Sequence, residues 1–442
     1  MLSTLLLSLN TSAQSPISPY FAESKFLKYM RDEPAVDSAV YYARMLSRDL
    51  ASFYELFHIS FFHSLQEPAD GEDRLAIRKK ILEKAVADSS QFLSAAASPM
   101  YAIIQAQTYK NDPEKLSTLT NDFTKNELNT EKLYLHKTGR YGLILYSIIS
   151  KHPKLKNTAQ NLLSTLYNQL ASKSIPQNWT QDPEKRAWHK YMHAQVSYLM
   201  ANQTNDTTKK GVLLKEAFDY SPDFSDIIYE FGYLYENNYV SGKINYRQDY
   251  LNYISEHSQD KNTILNALLT TALYSPEYKG QLKNYYQSKF SGKTEFLEFW
   301  LNAVDSIALS SPPFNLALLD GKPFNSQSKK WIMLDFWGTW CGPCRAEHPD
   351  LQNFYETTIQ KNEVTVSLLT IACSDQKADV DNYMKEKNFS FPVAMSDNRI
   401  QYVYKITRYP TKLLITPSGR YTTIPIESDW INFIKAYCDI DR

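Results

Sequence analysis

The periodicity of hydrophobic positions changes once along this chain. From about residue 18 to 305, apolar side chains recur at spacings of three and four with few alternating runs. Leu155, Ala159, Leu162, Leu163, Leu166 and Leu170 form the clearest stripe, the apolar face of an amphipathic helix. Polar, turn-forming stretches separate such stripes at Glu67-Pro68-Ala69-Asp70-Gly71, Lys173-Ser174-Ile175-Pro176 and Gln203-Thr204-Asn205-Asp206. The pattern predicts roughly ten helices.

After Ser310-Ser311-Pro312-Pro313 the pattern becomes β-branched and aromatic runs alternating with helical segments. Trp331 to Trp337 reads as a buried strand, a helix opens at Cys341, Val364 to Ala372 reads as a second strand and Asp379 to Lys387 as a helix. Phe391 to Met395 and Lys412 to Thr416 read as strands, Pro417-Ser418-Gly419-Arg420 as a turn, and Trp430 to Tyr437 as a closing helix. The expected architecture is multidomain: an all-α region over 16–305, then an α/β domain over 306–442 with a βαβ unit, a hairpin and a final helix. Within the first region, Ala217-Phe218-Asp219-Tyr220-Ser221-Pro222 resembles the end of a tetratricopeptide repeat, but no fixed period repeats it. A stack of helical hairpins and an irregular bundle both stay open.

Composition narrows the classes. With 442 residues, 43% of them hydrophobic and 14% aromatic, the chain has core material for two or three domains, and its 12 glycines argue against turn-dense sandwiches or propellers. Lys plus Arg and Asp plus Glu both total 48, so no polyelectrolyte face for nucleic acid is expected. Residues 1–15 hold Leu2, Leu5, Leu6, Leu7 and Leu9 followed by Thr11-Ser12-Ala13, the apolar run and small-residue cleavage site of a secretory signal, with no basic residue before Lys25. No later apolar run approaches the length of about 20 residues that crosses a bilayer. The expectation is an exported, periplasmic or otherwise extracytoplasmic protein without stable membrane insertion.

Chemistry concentrates at Trp340-Cys341-Gly342-Pro343-Cys344. With Cys341 at a helix cap and Cys344 in the first turn, the two sulfurs close a short ring or open to a dithiol with little backbone change. Unpaired amides and the helix dipole at that end stabilise a Cys341 thiolate and lower its pKa below the free value of about 8.5. Cys344, deeper in the helix, is suited to resolve a mixed disulfide. Pro343 is tolerated because first-turn amides have no intrahelical acceptor. A structural zinc half-site is the competing reading, but no second C-x-x-C or nearby histidine pair completes four ligands, and no metal or other cofactor is expected.

The segment Leu334-Asp335-Phe336-Trp337-Gly338-Thr339-Trp340-Cys341-Gly342-Pro343-Cys344-Arg345-Ala346-Glu347-His348-Pro349 resembles the active-site segment of the thioredoxin superfamily, and more narrowly its TlpA/ResA-like thiol-disulfide oxidoreductases. Pro313 to Pro323 is similar to that subfamily's N-terminal hairpin and Asp375 to Arg399 to its insertion, while Tyr409-Pro410-Thr411 resembles the cis-proline loop that faces the disulfide. The resemblance spans about residues 306–442. It implies a thioredoxin-like fold and a redox-active Cys341–Cys344 disulfide. It also implies that Asp335 takes up the proton of the resolving cysteine and that Glu347 is an active-site glutamate. Trp340, Gly342, Pro343, Tyr409 and Pro410 would then form the substrate-binding surface. Asp335 stands where most TlpA-like members carry asparagine, and Tyr409 where a smaller residue is common. A carboxyl on a buried strand should titrate high, near neutrality.

The implied partners are a protein disulfide substrate and an upstream electron-donating thiol protein. Two readings from other classes remain at this stage. One is a thiol peroxidase, although Gly338 stands where a T-x-x-C setting would place threonine. The other is a helical partner-binding protein on a redox-inactive support. Cys373 and Cys438 read as buried apolar thiols, with a disulfide between them left open. Ser291-Gly292-Lys293-Thr294 lacks the first glycine of a P-loop, since position 287 is glutamine. His189 and His193 lie one turn apart, but Lys190 occupies the place of the base in H-E-x-x-H, so a buried or solvated pair is expected rather than a metal site. Tyr229, Tyr233, Tyr235 and Tyr239 are candidates for a recognition surface or for packing between helices.

Overall fold

The computed structural model describes residues 18–47, 57, 61, 72–172, 175–223, 226, 233, 236, 240, 243, 246–290, 294–324, 326–327, 329–362, 365–425 and 428–438. The apolar run 1–15, the turn at 67–71, Ser291-Gly292-Lys293, Tyr229, Tyr235 and Tyr239 lie outside these. The chain divides into two compact units, Met1–Thr180 with Leu234–Gly242 and Gln181–Tyr233 with Lys243–Arg442.

In the first unit the described elements are helices: α1 Pro19–Leu27, α2 Val36–Leu46, α3 Glu72–Val86, α4 Gln91–Thr108, α5 Pro113–Glu127, α6 Thr130–Leu135, α7 Thr138–Ile149 and α8 Lys156–Leu170. Their starts are chemically marked. Ser90, Asp112 and Asn129 each accept a hydrogen bond from the amide three residues on, satisfying a donor that the first helical turn leaves unpaired. The expected stripe is realised in α8, where Ala159, Leu162, Leu163, Leu166 and Leu170 are all buried.

The second unit opens with a run of helices: α9 Pro183–Gln203, α10 Thr207–Tyr220, α11 Arg247–His257, α12 Lys261–Tyr274, α13 Lys279–Lys289 and α14 Phe296–Ile307. Each packs against the next in sequence. The predicted break at 203–206 is a turn ended by Asp206, which caps α10. Beyond it, Ser221 donates to Ala217 O and accepts the amide of Tyr246, so the alanine-to-proline piece closes one helix and receives the next. Tyr233 is buried and stacked on Tyr191 at 4.8 Å, which makes it a packing residue and not part of an exposed recognition surface.

A six-stranded sheet follows, with β1 Leu309–Ser310, β2 Trp331–Trp337, β3 Val366–Ala372, β4 Val393–Met395, β5 Thr411–Ile415 and β6 Arg420–Thr423 in the order β1-β6-β5-β2-β3-β4. The helices of this region are α15 Gly342–Phe354, α16 Lys377–Lys387, α17 Ile400–Val403 and α18 Trp430–Cys438. β2 is central, parallel to β3 and antiparallel to β5, and buried along its whole length. Alternation sends Ile332, Leu334 and Phe336 into one apolar core with Leu369, Ile371, Leu413 and Ile415. Met333, Asp335 and Trp337 therefore point to the opposite face.

The expected boundary at residue 306 falls inside the second unit. Trp300 of α14 is fully buried, donates its indole N–H to Tyr437 O at 3.3 Å and meets the Tyr437 ring edge-on at 5.3 Å. Lys279 donates to Ala436 O at 2.7 Å, and the Tyr437 hydroxyl donates to Leu273 O. Three helices thus close over α18. Local periodicity does not report this, because the partners are more than 130 residues apart.

Candidate functional site

β2 leads into the site through Gly338. A Cβ there would lie 2.4 Å from Trp340 Nε1 and 3.1 Å from Cys373 O, so only glycine fits against the neighbouring tryptophan. The loop after it is fastened to the end of β3. Thr339 N donates to Asp375 Oδ2 at 2.7 Å, Thr339 Oγ1 donates to Asp375 Oδ1 at 2.5 Å, and Trp340 Nε1 donates to Cys373 O at 3.0 Å. Trp340 itself stays 53% exposed and packs edge-on against Tyr409 at 5.3 Å between centroids.

Cys341 is the N-cap of α15, and its sulfur accepts the Cys344 amide at 3.2 Å. Gly342 and Pro343 are exposed in the first turn, while both cysteines are buried, Cys341 at 5% exposure and Cys344 at 1%. The two cysteines are joined as a disulfide, so this is the oxidised state. The Cys341 sulfur therefore sits where helix amides favour negative charge, and Cys344 is the less exposed of the two residues. The peptide bond between Tyr409 and Pro410 is cis, and both residues are partly exposed at the start of β5.

Asp335 is 2% exposed. Burial pushes its carboxyl up to about 6, Lys412 opposes that shift and the charge of Glu347 adds to it. The antiparallel register sets Lys412 of β5 directly opposite Asp335, with Lys412 Nζ 3.3 Å from Asp335 Oδ1. That approach lacks the alignment of a hydrogen bond, and Oδ1 keeps acceptor capacity. Lys412 also donates to Glu347 Oε2 from α15, and Glu347 is the half-exposed end of the chain of charges. Burial opposes the Lys412 charge, yet the two carboxylates outweigh it and hold the ammonium above its usual value.

Asp335 and Glu347 are thus brought to one cluster, and Cys341 and Cys344 to one helix end. Lys412 was missed in the sequence. The signal was a lysine inside the strand Thr411–Ile415, where a buried ammonium requires a counter-charge. Asp375 was seen only as the start of an insertion.

The remaining candidates are structural. Cys373 and Cys438 are both buried and neither is in a disulfide; burial pushes the Cys373 thiol up to about 12. His189 and His193 are buried, and His193 stacks on Tyr220 at 3.9 Å.

Residues 329–421 match the family model described as thioredoxin-like. The thiol-disulfide oxidoreductase ResA of Bacillus subtilis (strain 168) is 28% identical over 160 residues, covering 34% of this chain and 83% of that protein. ResA of Bacillus cereus (strain ATCC 10987 / NRS 248) is 30% identical over 138 residues, covering 30% of this chain and 73% of that protein. Among solved structures, a thioredoxin-family thiol:disulfide interchange protein from Chlorobium tepidum TLS is 28% identical, with a TM-score of 0.27, covering 30% of this chain and 96% of that one. Through its C-terminal region, this chain belongs to the ResA-type thiol-disulfide oxidoreductases of the thioredoxin-like family.

Proposed function

We propose that this protein reduces disulfides of exported proteins outside the cytoplasm. The observation that carries the reading is Cys341 at the α15 N-cap, its sulfur accepting the Cys344 amide, with Cys344 the less exposed of the two buried cysteines. In the reduced enzyme the Cys341 thiolate attacks a substrate disulfide, forming a mixed disulfide and expelling one substrate thiolate. Cys344 then loses its proton to Asp335 and attacks Cys341 Sγ. This forms the enzyme disulfide and releases the second substrate thiolate. Two electrons have passed to the substrate. A dithiol donor protein restores Cys341 and Cys344 and is itself oxidised to a disulfide. Exposed Trp340, Gly342 and Pro343, with Tyr409 and Pro410 beside them, form the surface the substrate chain meets.

The test separates the two thiols. With Cys341→Ser, rapid alkylation near pH 6 and all turnover are lost. Cys344→Ser keeps a reactive thiolate and accumulates mixed disulfides with exported proteins, identified by mass spectrometry of trapped complexes. Faster alkylation of Cys344 than of Cys341 near pH 6 reverses the assignment. Traps holding only cytoplasmic proteins refute the location.

A further inference from the structure

Among the described residues, the cation that meets the Asp335 carboxyl is Lys412, and it is shared. Lys412 reaches Asp335 on β2 and Glu347 on α15, so two carboxylates from different elements draw on a single ammonium. Side-chain exposure is graded along the chain of charges: 3% at Asp335, 7% at Lys412 and 37% at Glu347. Among the described residues, Lys412 is the cation that acts on Asp335. β3 sets Thr370 opposite Asp335; α15 adds buried His348, whose ring burial holds near 4 and therefore neutral; α18 offers only the Trp430 ring, 5.2 Å from Lys412 Nζ.

An ammonium held by two carboxylates divides its field between them. When Glu347 is ionised it holds part of the Lys412 charge, and its own negative charge also disfavours ionisation of Asp335. With the Glu347 carboxylate removed by substitution, Asp335 alone shares the Lys412 charge. We propose that Lys412 is a positioning residue that links the half-exposed Glu347 to the buried Asp335, so that the charge state of Glu347 sets how readily Asp335 accepts the proton of Cys344. The inference rests on the disulfide-reductase reading for its consequence in turnover, and on geometry alone for the coupling itself. Its chemistry is a proton moving from the Cys344 thiol to a carboxylate; no electron is involved and no bond at Lys412 is made or broken.

Opposite signs make it testable. Lys412→Met, similar in length and uncharged, removes the cation and raises the Asp335 pKa further. Glu347→Gln removes the competitor and lowers it. Carbon-13 NMR titration of the Asp335 carboxyl in the full-length protein reads both shifts without requiring activity, and each is expected to be about one unit or more. In the Lys412→Met background, Glu347→Gln should produce less than half the shift it produces alone, since its effect passes through the lysine. Stopped-flow resolution of a mixed disulfide with insulin should show its acid limb displaced in the same directions. Shifts of the same sign in both single variants, no shift in Glu347→Gln, or an equal Glu347→Gln shift with and without Lys412 overturns the link. If Lys412→Met does not fold, Lys412→Gln takes its place in the same pair of measurements. NMR shifts as expected in a protein that leaves insulin unreduced would uphold the coupling and refute the reductase reading.

Discussion

Two buried clusters within the second unit, one on α9 and α10 and one beneath α15, bury titratable groups to a similar degree and give them opposite characters. His189 and His193 lie against each other and against the Tyr220 ring, and burial pushes both down to about 4, so each stays neutral across the physiological range. Asp335 is equally buried but faces Lys412, which opposes the effect of burial and leaves the carboxyl near 6. At His193, 3.7 Å from the half-exposed Glu216, burial outweighs the counter-charge and the ring stays neutral. Burial set against one shared counter-charge yields a group that changes state near neutrality.

The comparison breaks most sharply if Asp335 is chemically idle. Asp335→Asn is expected to slow resolution of the mixed disulfide by about 10²-fold at pH 7 while initial attack by Cys341 stays within a few-fold. The wild-type resolution rate should rise through pH 6 as the carboxylate forms, and the variant should lack that rise in stopped-flow measurements. An unchanged pH profile would remove Asp335 from the mechanism.

A second test asks whether the two clusters belong to one cooperative unit. Trp300 packs helix α14 onto α18. Trp300→Ala should cost about 3–5 kcal/mol by urea denaturation, with fluorescence and circular dichroism transitions coinciding. A fragment starting at residue 306 lacks this cover, so it is expected to unfold at lower urea than one starting at 181. Equal midpoints would show 306–442 to be an independent domain.

The finest test uses pH and stability, where the clusters have opposite slopes. Asp335 binds its proton more tightly folded than unfolded, so between about pH 4 and about pH 6 its contribution to stability falls as pH rises, by about 3 kcal/mol in all. Asp335→Asn removes that loss. His193 binds its proton less tightly folded, so stability falls by up to about 3 kcal/mol as pH drops from about 6.5 to about 4. His193→Phe keeps the ring and removes the loss. Denaturation midpoints at pH 4, 5.5 and 7 separate the two, and parallel slopes would show that both clusters answer to the same groups.

Much of the site was legible because it is local. Five residues of strand and loop separate Asp335 from Cys341, and one helical turn separates Cys341 from Cys344; such spacings survive in the sequence. The stripe on α8 was legible for the same reason. Lys412 was not, because its partner is set by the register between β2 and β5, which a lysine within an apolar pentad suggests but does not specify. Nor was the place of Trp300, whose burial depends on a helix 137 residues later. Sequence periodicity reports which face of an element is apolar, and is silent on what covers it.

The loop between β2 and Cys341 carries a further consequence. Its three bonds to Asp375 and Cys373 O, with no room for a side chain at Gly338, hold the approach to the sulfur in shape before any client arrives. Ordering a mobile side chain on association costs about 0.5–1.5 kcal/mol, and here little remains to be ordered on the enzyme's side. The freedom surrendered on docking is then mostly the client's. On the proposed reading, such a seat binds most tightly a disulfide segment already held in its docked shape, because a pliable chain carries the larger ordering cost.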